Sequence, residues 1–531
     1  MNRSKLEWWN RFQKYYAEFA SLGLAVDMSR MNVDEAFFAA LEPGIQRALS
    51  KMAQLEKGFI ANPDENRMVG HYWLRNPALA PTTEIRSAIE ENLANIKNFS
   101  AQVHNGKVRG KGGPFKNYLL IGIGGSALGP QFVAHALGDP RTDKLKPYFF
   151  DNTDPDGMDR VLANIGNDLN QTLCIVISKS GGTKETRNGM LVAKAAFERA
   201  GLDFGRHALA ITTPASELHK YATANNWLAA FPMWDWVGGR TSELSSVGLL
   251  PAALQGIPID DILAGAMQCD GLTRINNVTL NPACQLALAL YASGNGKGKK
   301  NMVVLPYNDR LELFSKYLQQ LLMESLGKEL DLDGNKVNQG ITVLGNKGST
   351  DQHSYIQQLR DGLSNFFVVF IEVQIDECRP SQMVESEVTS GDFLHGFYLG
   401  TRQALSEKGR ESLTVIVSEV SPFTVGMLIA LFERVVGLYA SLINVNAYHQ
   451  PGVEAGKMAA ENVIRIQRQI LEFLSKQPGK TFTVSELANR IHAEDEVENV
   501  FKICEHLSKN QGRKLQKALS ESPFAARYGL A

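Results

Sequence analysis

Cysteine is scarce in this chain: five residues in 531, odd in number and far apart (Cys174, Cys269, Cys284, Cys378, Cys504). No C-x-x-C pair and no Cys/His ligand spacing occurs, which argues against a disulfide framework and against a structural zinc site. An excess of charge is missing too. The 55 Lys and Arg balance 56 Asp and Glu to a formal net charge of −1. Bulk electrostatics therefore gives no reason to expect nucleic acid or an anionic membrane as partner. The first ten residues contain no continuous apolar core, and Glu7, Glu18 and Asp27 are wrong for a transit peptide. The most apolar stretch, 424–445, is broken by Glu433 and Arg434 and reads as a buried helix, not a membrane span. A reducing cytoplasmic setting follows as the expectation. Finally, no G-x-x-x-x-G-K-[ST] is present, which removes the nucleotide P-loop.

What is present is an ordinary globular composition, 44% hydrophobic and 21% charged. A chain this long exceeds one compact core, so several domains are expected. Residues 1–110 carry a mainly helical pattern, with Trp8, Trp9, Phe12, Tyr15, Tyr16 and Phe19 at three- and four-residue spacing. Strand-like runs at 118–123, 147–151, 173–178 and 208–212 then alternate with helix-length segments. A polar, Gly-rich connector occupies 293–300, after which the rhythm resumes at 302–307, 366–373 and 413–419. This is the β-α-β pattern of parallel, doubly wound sheets. It divides the chain into a first α/β domain at 111–291 and a second at 292–465. From 466 the character changes. A turn at 477–479 and a capping-box pattern at 483–486 lead into a small helical extension, 466–531, with Leu487, Ile491, Val497, Val500 and Phe501 as its core. This tail suggests a winged-helix unit. Its ten basic and eight acidic residues suit a structural, dimer-supporting role better than nucleic-acid binding.

Six stretches could carry chemistry. After the apolar run 173–177 comes S-K-S-G-G-T-K-E-T at 178–186, and then a helical pattern. Glycines let backbone N–H groups approach an anion, and a helix N-terminus adds partial positive charge. Hydroxyls and Lys179 complete a set suited to one phosphate monoester, although an ordinary β–α turn has the same composition. I-G-I-G-G-S at 121–126 fits the loose dinucleotide pattern through Gly122, Gly124 and Ala127, with Asp151 ending the next strand. It fits equally a loop in which Gly125 and Ser126 touch a sugar phosphate. In 311–330, Leu313, Phe314, Tyr317, Leu318, Leu321 and Leu322 make an apolar helical face. Gln320, Glu324 and Lys328 follow at four-residue spacing on a neighbouring face. Glu324 falls at the stripe's margin, where a half-covered carboxylate suits a general base. A surface pairing of Glu324 with Lys328 explains the spacing as well. In G-G-R-T-S at 238–242, two glycines turn the chain sharply and present Arg240, either as a fixed cation beside developing negative oxygen or as a plain loop arginine. His353 lies in a polar D-Q-H loop, and Gln450 and Lys457 lie in Y-H-Q-P-G-V-E-A-G-K at 448–457.

Taken together and in order, these motifs resemble the glucose-6-phosphate isomerase family over residues 30 to 465. I-G-I-G-G-S-A-L-G-P, S-K-S…T-K-E-T, G-G-R-T-S, M-E-S-L-G-K, D-Q-H and Y-H-Q-P-G-V-E-A-G-K all stand in family order. Thr241, Leu326 and the pair Gly181–Gly182 depart from the commonest family pattern and are similar to the cyanobacterial and plastid branch. At 181 and 182 backbone N–H groups would have to replace side-chain contacts to phosphate. Thr241 replaces a bulkier neighbour of the site, which leaves mannose 6-phosphate open as a second substrate. The resemblance implies two sugar-isomerase-type three-layer αβα domains with parallel central sheets. It implies proton transfer between C1 and C2 of a sugar phosphate through an enediolate, with Glu324 as the base and Arg240 steadying the charge. His353 and Lys457 would serve ring opening. Ser126, Ser178, Lys179, Ser180, Thr183 and Thr186 would hold the phosphate, with Gly125 beside them, and Gln320 and Gln450 would position the sugar. No metal, nucleotide or redox cofactor is implied. Homodimers with His353 contributed across the interface are the family's common form. Two rivals remain at this point: an NAD-dependent oxidoreductase, which leaves G-G-R-T-S, M-E-S-L-G-K and the Lys457 motif without a role, and a non-catalytic sugar-phosphate-binding regulator, which has no use for a proton-transfer set.

Overall fold

The computed structural model describes residues 4–376 and 382–530, apart from the side chains of Val453, Glu454, Ala455 and Gln511. Cys378 lies outside the described residues; the other four cysteines are buried thiols. The chain divides into two compact units, Met1–His449 and Gln450–Ala531.

Two sheets organise the first unit. One is parallel throughout, with strands Asn117–Ile121, Lys146–Phe150, Thr172–Ile177, Ala208–Thr212 and Ala229–Pro232. Asn117–Ile121 and Thr172–Ile177 lie at its centre, paired to each other. Both are buried along their whole length, so their apolar runs do not alternate. The other sheet has a parallel core of Val343–Gly345, Asn301–Pro306, Phe366–Val373 and Ser412–Val417. An antiparallel hairpin, Tyr16–Phe19 with Leu24–Asp27, extends it beside Ser412–Val417. The region read as mainly helical therefore also supplies two strands to this sheet, and Ile60–Asn62 pairs with Arg67–Met68 in a small sheet of its own. Its aromatic spacing holds only as far as the helix Lys5–Tyr15. One apolar core, including Leu120, Leu250, Leu288 and Val304, runs through both sheets and the helices around them.

The helix Pro422–Leu442 starts with Ser421 accepting the Thr424 N–H at 3.3 Å and with proline at its first turn. It is long and apolar enough by composition to cross a membrane, yet 89% of its most apolar window is buried within the protein. Glu433 and Arg434 are buried with it. Arg434 donates to Asp270 at 2.8 Å and to Glu56, and Arg75 donates to Asp270 and Glu433. The helix lies against Ile259–Thr273 at reciprocal glycines. A Cβ on Gly265 would stand 1.9 Å from the Phe423 carbonyl oxygen, and one on Gly426 would stand 1.9 Å from that of Ile262.

The second unit begins with the helix Pro451–Ser475. It continues as strand Phe482–Thr483, helices Val484–Arg490 and Val497–Lys509, and strands Leu515–Ala518 and Arg527–Leu530, the last strand lying central in the sheet. This is the element order of a winged helix, with three strands that the helical reading omitted. The Thr483/Glu486 capping box forms in both directions. Ile466, Leu487, Val500 and Tyr528 meet in the unit's own core.

Candidate active site

Arg240, Gln320 and Glu324 come together in the first unit. The helix that begins at Phe314–Leu318 widens into a π-turn over Gln319–Glu324. Such a turn inserts a residue and re-aims the side chains after it, and π-turns recur at functional sites. Leu321 and Leu322 stay in the core, while the Glu324 side chain keeps 19% of its surface exposed. Both carboxylate oxygens have donors: Arg240 Nη1 at 2.7 Å on Oε1 and Gln320 Nε2 at 2.9 Å on Oε2. Glu324 is thus an aimed carboxylate, not one merely half-covered by apolar neighbours.

The Arg240 side chain is only 4% exposed. Its Nε donates to Ser325 Oγ at 2.7 Å, and its Nη2 donates to the carbonyls of Ala447 at 2.5 Å and His449 at 3.2 Å. Burial lowers the guanidinium's pKa, and the neighbouring Glu324 opposes that shift. The glycines of 121–130 explain how this cation is placed. A Cβ on Gly125 would stand 1.9 Å from the Gly239 carbonyl oxygen, so the two loops can meet only if residue 125 has no side chain. Gly124 has φ +58°, open to glycine at little cost, and faces the Gln320 amide. Thr241 donates to the Gly238 carbonyl at 3.3 Å, turning back into its own loop.

The 178–186 segment closes on itself. Ser178 Oγ donates to Thr183 Oγ1 at 3.2 Å and accepts the Gly181 N–H at 3.1 Å. The Gly182 N–H donates to Ser180 Oγ at 3.2 Å. Both backbone groups expected to face phosphate are therefore engaged with serine hydroxyls here. Thr183 precedes the helix Lys184–Arg199, whose first turn supplies further N–H groups. Lys179 donates to the carbonyls of Asp235 and Val237, each at 3.0 Å, tying this loop to the approach of Arg240. Burial, then Arg67, lowers its pKa, with Asp235 opposing. Thr186 is buried, and it joins Ser178, Gly181, Arg187 and Glu217 around a cavity of about 280 Å³. Ser126 is half-buried in the turn beside Gly125.

His353 is exposed at the end of the short 3-10 helix Thr350–His353, whose Asp351 is buried and accepts the Lys347 N–H at 3.1 Å. Gln450 and Lys457 belong to the second unit, around the first turns of Pro451–Ser475. Among the described residues no group of three or more His, Cys, Asp or Glu is placed to hold a metal ion.

Lys328 corrects the surface-pair reading. The helix ends before Gly327, and Lys328 opens the strand Lys328–Leu330. Its ammonium donates to the Glu324 backbone carbonyl and to the His449 carbonyl, both at 2.8 Å, not to the Glu324 carboxylate. Gly327 was the signal, since glycine commonly ends a helix. Ser325 and the carbonyls of Ala447 and His449 also escaped the sequence reading; backbone acceptors leave no mark in residue type.

An aimed carboxylate, a fixed cation able to face developing negative oxygen, and a parallel-sheet scaffold are the equipment for moving a proton next to a carbonyl, which places the protein among the aldose–ketose isomerases. The chain belongs to the Phosphoglucose isomerase family, whose profile matches residues 27–393 and 401–472. It is 59% identical over 527 residues to the glucose-6-phosphate isomerase of Geobacter sulfurreducens, covering 98% of this chain and 99% of that protein. The cyanobacterial glucose-6-phosphate isomerase of Thermosynechococcus vestitus is 58% identical over 503 residues, covering 94% and 95%. The fold is shared with the crystal structure of a glucose-6-phosphate isomerase from Chlamydia trachomatis, at TM-score 0.78 and 24% identity over 86% of this chain and 91% of that one. The dinucleotide reading of 122–127 lapses with the family.

Proposed function

We infer that this chain interconverts glucose 6-phosphate and fructose 6-phosphate. The observation that carries the inference is the Arg240–Glu324 contact at 2.7 Å, set where the π-turn meets the glycine loops. Glu324 takes a proton from C2 of the open-chain aldose, or from C1 of the ketose, and returns it to the neighbouring carbon, while the hydroxyl proton passes from O2 to O1 of the aldose, or from O1 to O2 of the ketose. As Glu324 gains that proton, its oxygen becomes a weaker acceptor. Arg240 can then turn its charge toward the enediolate oxygen, where fixed cations contribute most. Gln320 keeps the carboxylate oriented. The phosphate is assigned to Ser126, Ser178, Lys179, Ser180, Thr183 and Thr186, beside Gly125, and anchors the sugar far from the reacting carbons. His353 and Lys457 are assigned to proton transfers that open the ring, and Gln450 to positioning the sugar. All electrons stay within the substrate, so no redox carrier is required.

The working form is proposed as a cytoplasmic homodimer, and the exposure of His353 supports its use by a second copy. Residues 111–291 and 292–465 are proposed as two sugar-isomerase halves. The test is a coupled assay with fructose 6-phosphate and no added metal. Steady formation of glucose 6-phosphate, unchanged by EDTA, is expected; absence of product, or activity that returns only with a divalent ion, contradicts the proposal.

A further inference from the structure

We infer that Lys328 is a positioning residue for the isomerisation, fixing the π-turn that carries Glu324 to the 447–449 segment that Arg240 also grips. The inference rests on the isomerase reading above and deepens it.

A helix that stops leaves its last carbonyls without N–H partners. Here the ammonium of Lys328 takes that place, on the Glu324 carbonyl at 2.8 Å, and reaches the His449 carbonyl at 2.8 Å. The same His449 oxygen accepts from Arg240 Nη2 at 3.2 Å. The contacts form a ring: Arg240 to the Glu324 carboxylate, Glu324 through its own backbone to Lys328, and Lys328 and Arg240 to one shared carbonyl. The 447–449 segment is anchored in turn, because the Asn446 amide donates to Asn62 at 2.9 Å and Asp64 at 2.5 Å. During the reaction the Arg240–carboxylate contact must loosen. Lys328 holds the backbone of Glu324, which does not change charge, so the base stays aimed while its side-chain partner is busy.

The Lys328 side chain is buried. Four charged or titratable groups face it: Arg240, Glu324, Asp64 and His449. Burial first, and Arg240 second, bring its pKa down to about 8, against Glu324 and Asp64. Burial and Lys328 likewise lower His449, which favours the neutral imidazole. The clamp therefore carries its charge below pH of about 8 and loses it above.

The test compares wild type, Lys328→Met and Lys328→Arg in the coupled assay across pH. Wild-type activity is measured first; its absence would overturn the isomerase reading and not this one. In active enzyme, an alkaline fall in kcat centred near pH 8 is expected. Lys328→Met should lower kcat by about a hundredfold, as for a base displaced by roughly 1 Å, with KM nearly unchanged. Lys328→Arg should regain most of the loss and move the alkaline fall upward, since guanidinium keeps its charge. Wild-type kcat in Lys328→Met overturns the proposal. Should Lys328→Met not fold, Lys328→Arg decides alone: an alkaline fall that stays near pH 8 overturns the proposal, and one that moves upward supports it.

Discussion

Arg240 makes different demands on its three nitrogens. Nε goes to a hydroxyl, Nη1 to the Glu324 carboxylate and Nη2 to two backbone carbonyls. Only a planar fork can meet them together, and lysine offers one point of charge on a flexible stem. Arg240→Lys should therefore keep the charge and lose its aim, lowering kcat by about 10²-fold, the scale of one lost donor to a developing oxyanion. Steady-state kinetics checks this, and turnover within about threefold of wild type would show that charge alone suffices. At this scale the sequence was informative where chemistry is carried by residue type in a fixed spacing. Glu324 and Arg240 stand in quoted motifs, and Gln320 stands four residues before Glu324. Lys328 was misplaced because a four-residue spacing implies one helical face, and nothing but Gly327 signalled that the helix ends between Glu324 and Lys328. The partners of Lys179 were illegible for another reason: they are the carbonyls of Asp235 and Val237, more than fifty residues away.

Elements with long, apolar, β-branched cores were legible. Phe366–Val373 and Ala208–Thr212 lie where the pattern put them, and their central neighbours shift by one or two residues. Short edge strands were not. Ala229–Pro232 and Val343–Gly345 are too brief to show a period, and the hairpin Tyr16–Phe19 with Leu24–Asp27 is stabilised by pairing with Ser412–Val417, far away in the chain. Local propensity is a weak guide where distant pairing decides. The contact between the 124–126 turn and the 239–241 turn is the element-scale feature on which the site most depends. A Cβ at residue 125 would meet the Gly239 carbonyl oxygen at 1.9 Å, and backbone cannot yield as a side-chain tip does. Gly125→Ala should push the Arg240 turn outward and lower kcat by about 10²-fold, the cost of roughly 1 Å of misplacement. Circular dichroism should show the fold retained. Turnover near wild type would mean that the loop gives way without moving Arg240.

At the scale of the whole molecule, both sheets share one core, and a buried ion cluster of Arg75, Asp270, Arg434 and Glu56 ties the helices Ile259–Thr273 and Pro422–Leu442 to the N-terminal region. Burial pushes Asp270 up, but Arg434 and Arg75 outweigh it and hold its carboxyl well below the ordinary range. The stability this confers is present above the ordinary aspartate range and is lost progressively as the pH falls from that range toward the lowered pKa of the folded group. The sequence showed Glu433 and Arg434 as interruptions of an apolar run, and only the fold shows what they face. The proposed dimer makes a prediction here. Glu324→Gln and His353→Leu, each inactive alone, are unfolded and refolded together. If each site uses one subunit's Glu324 and the other's His353, a mixed dimer has one intact site and one doubly damaged site. With half the dimers mixed, about a quarter of all sites should recover activity. No recovery, with mixed dimers shown present, rejects the shared site and leaves the isomerase standing.

The account turns on Glu324 as the group that moves the proton. The most direct test runs the isomerisation in deuterium oxide with wild type and Glu324→Gln, following turnover and the entry of solvent deuterium into the sugar. Glutamine keeps the shape, so substrate binding should be retained, while turnover and deuterium entry should fall together by about 10²- to 10⁴-fold. A variant that keeps more than about a tenth of wild-type turnover, or still exchanges deuterium at the wild-type rate, would contradict that assignment.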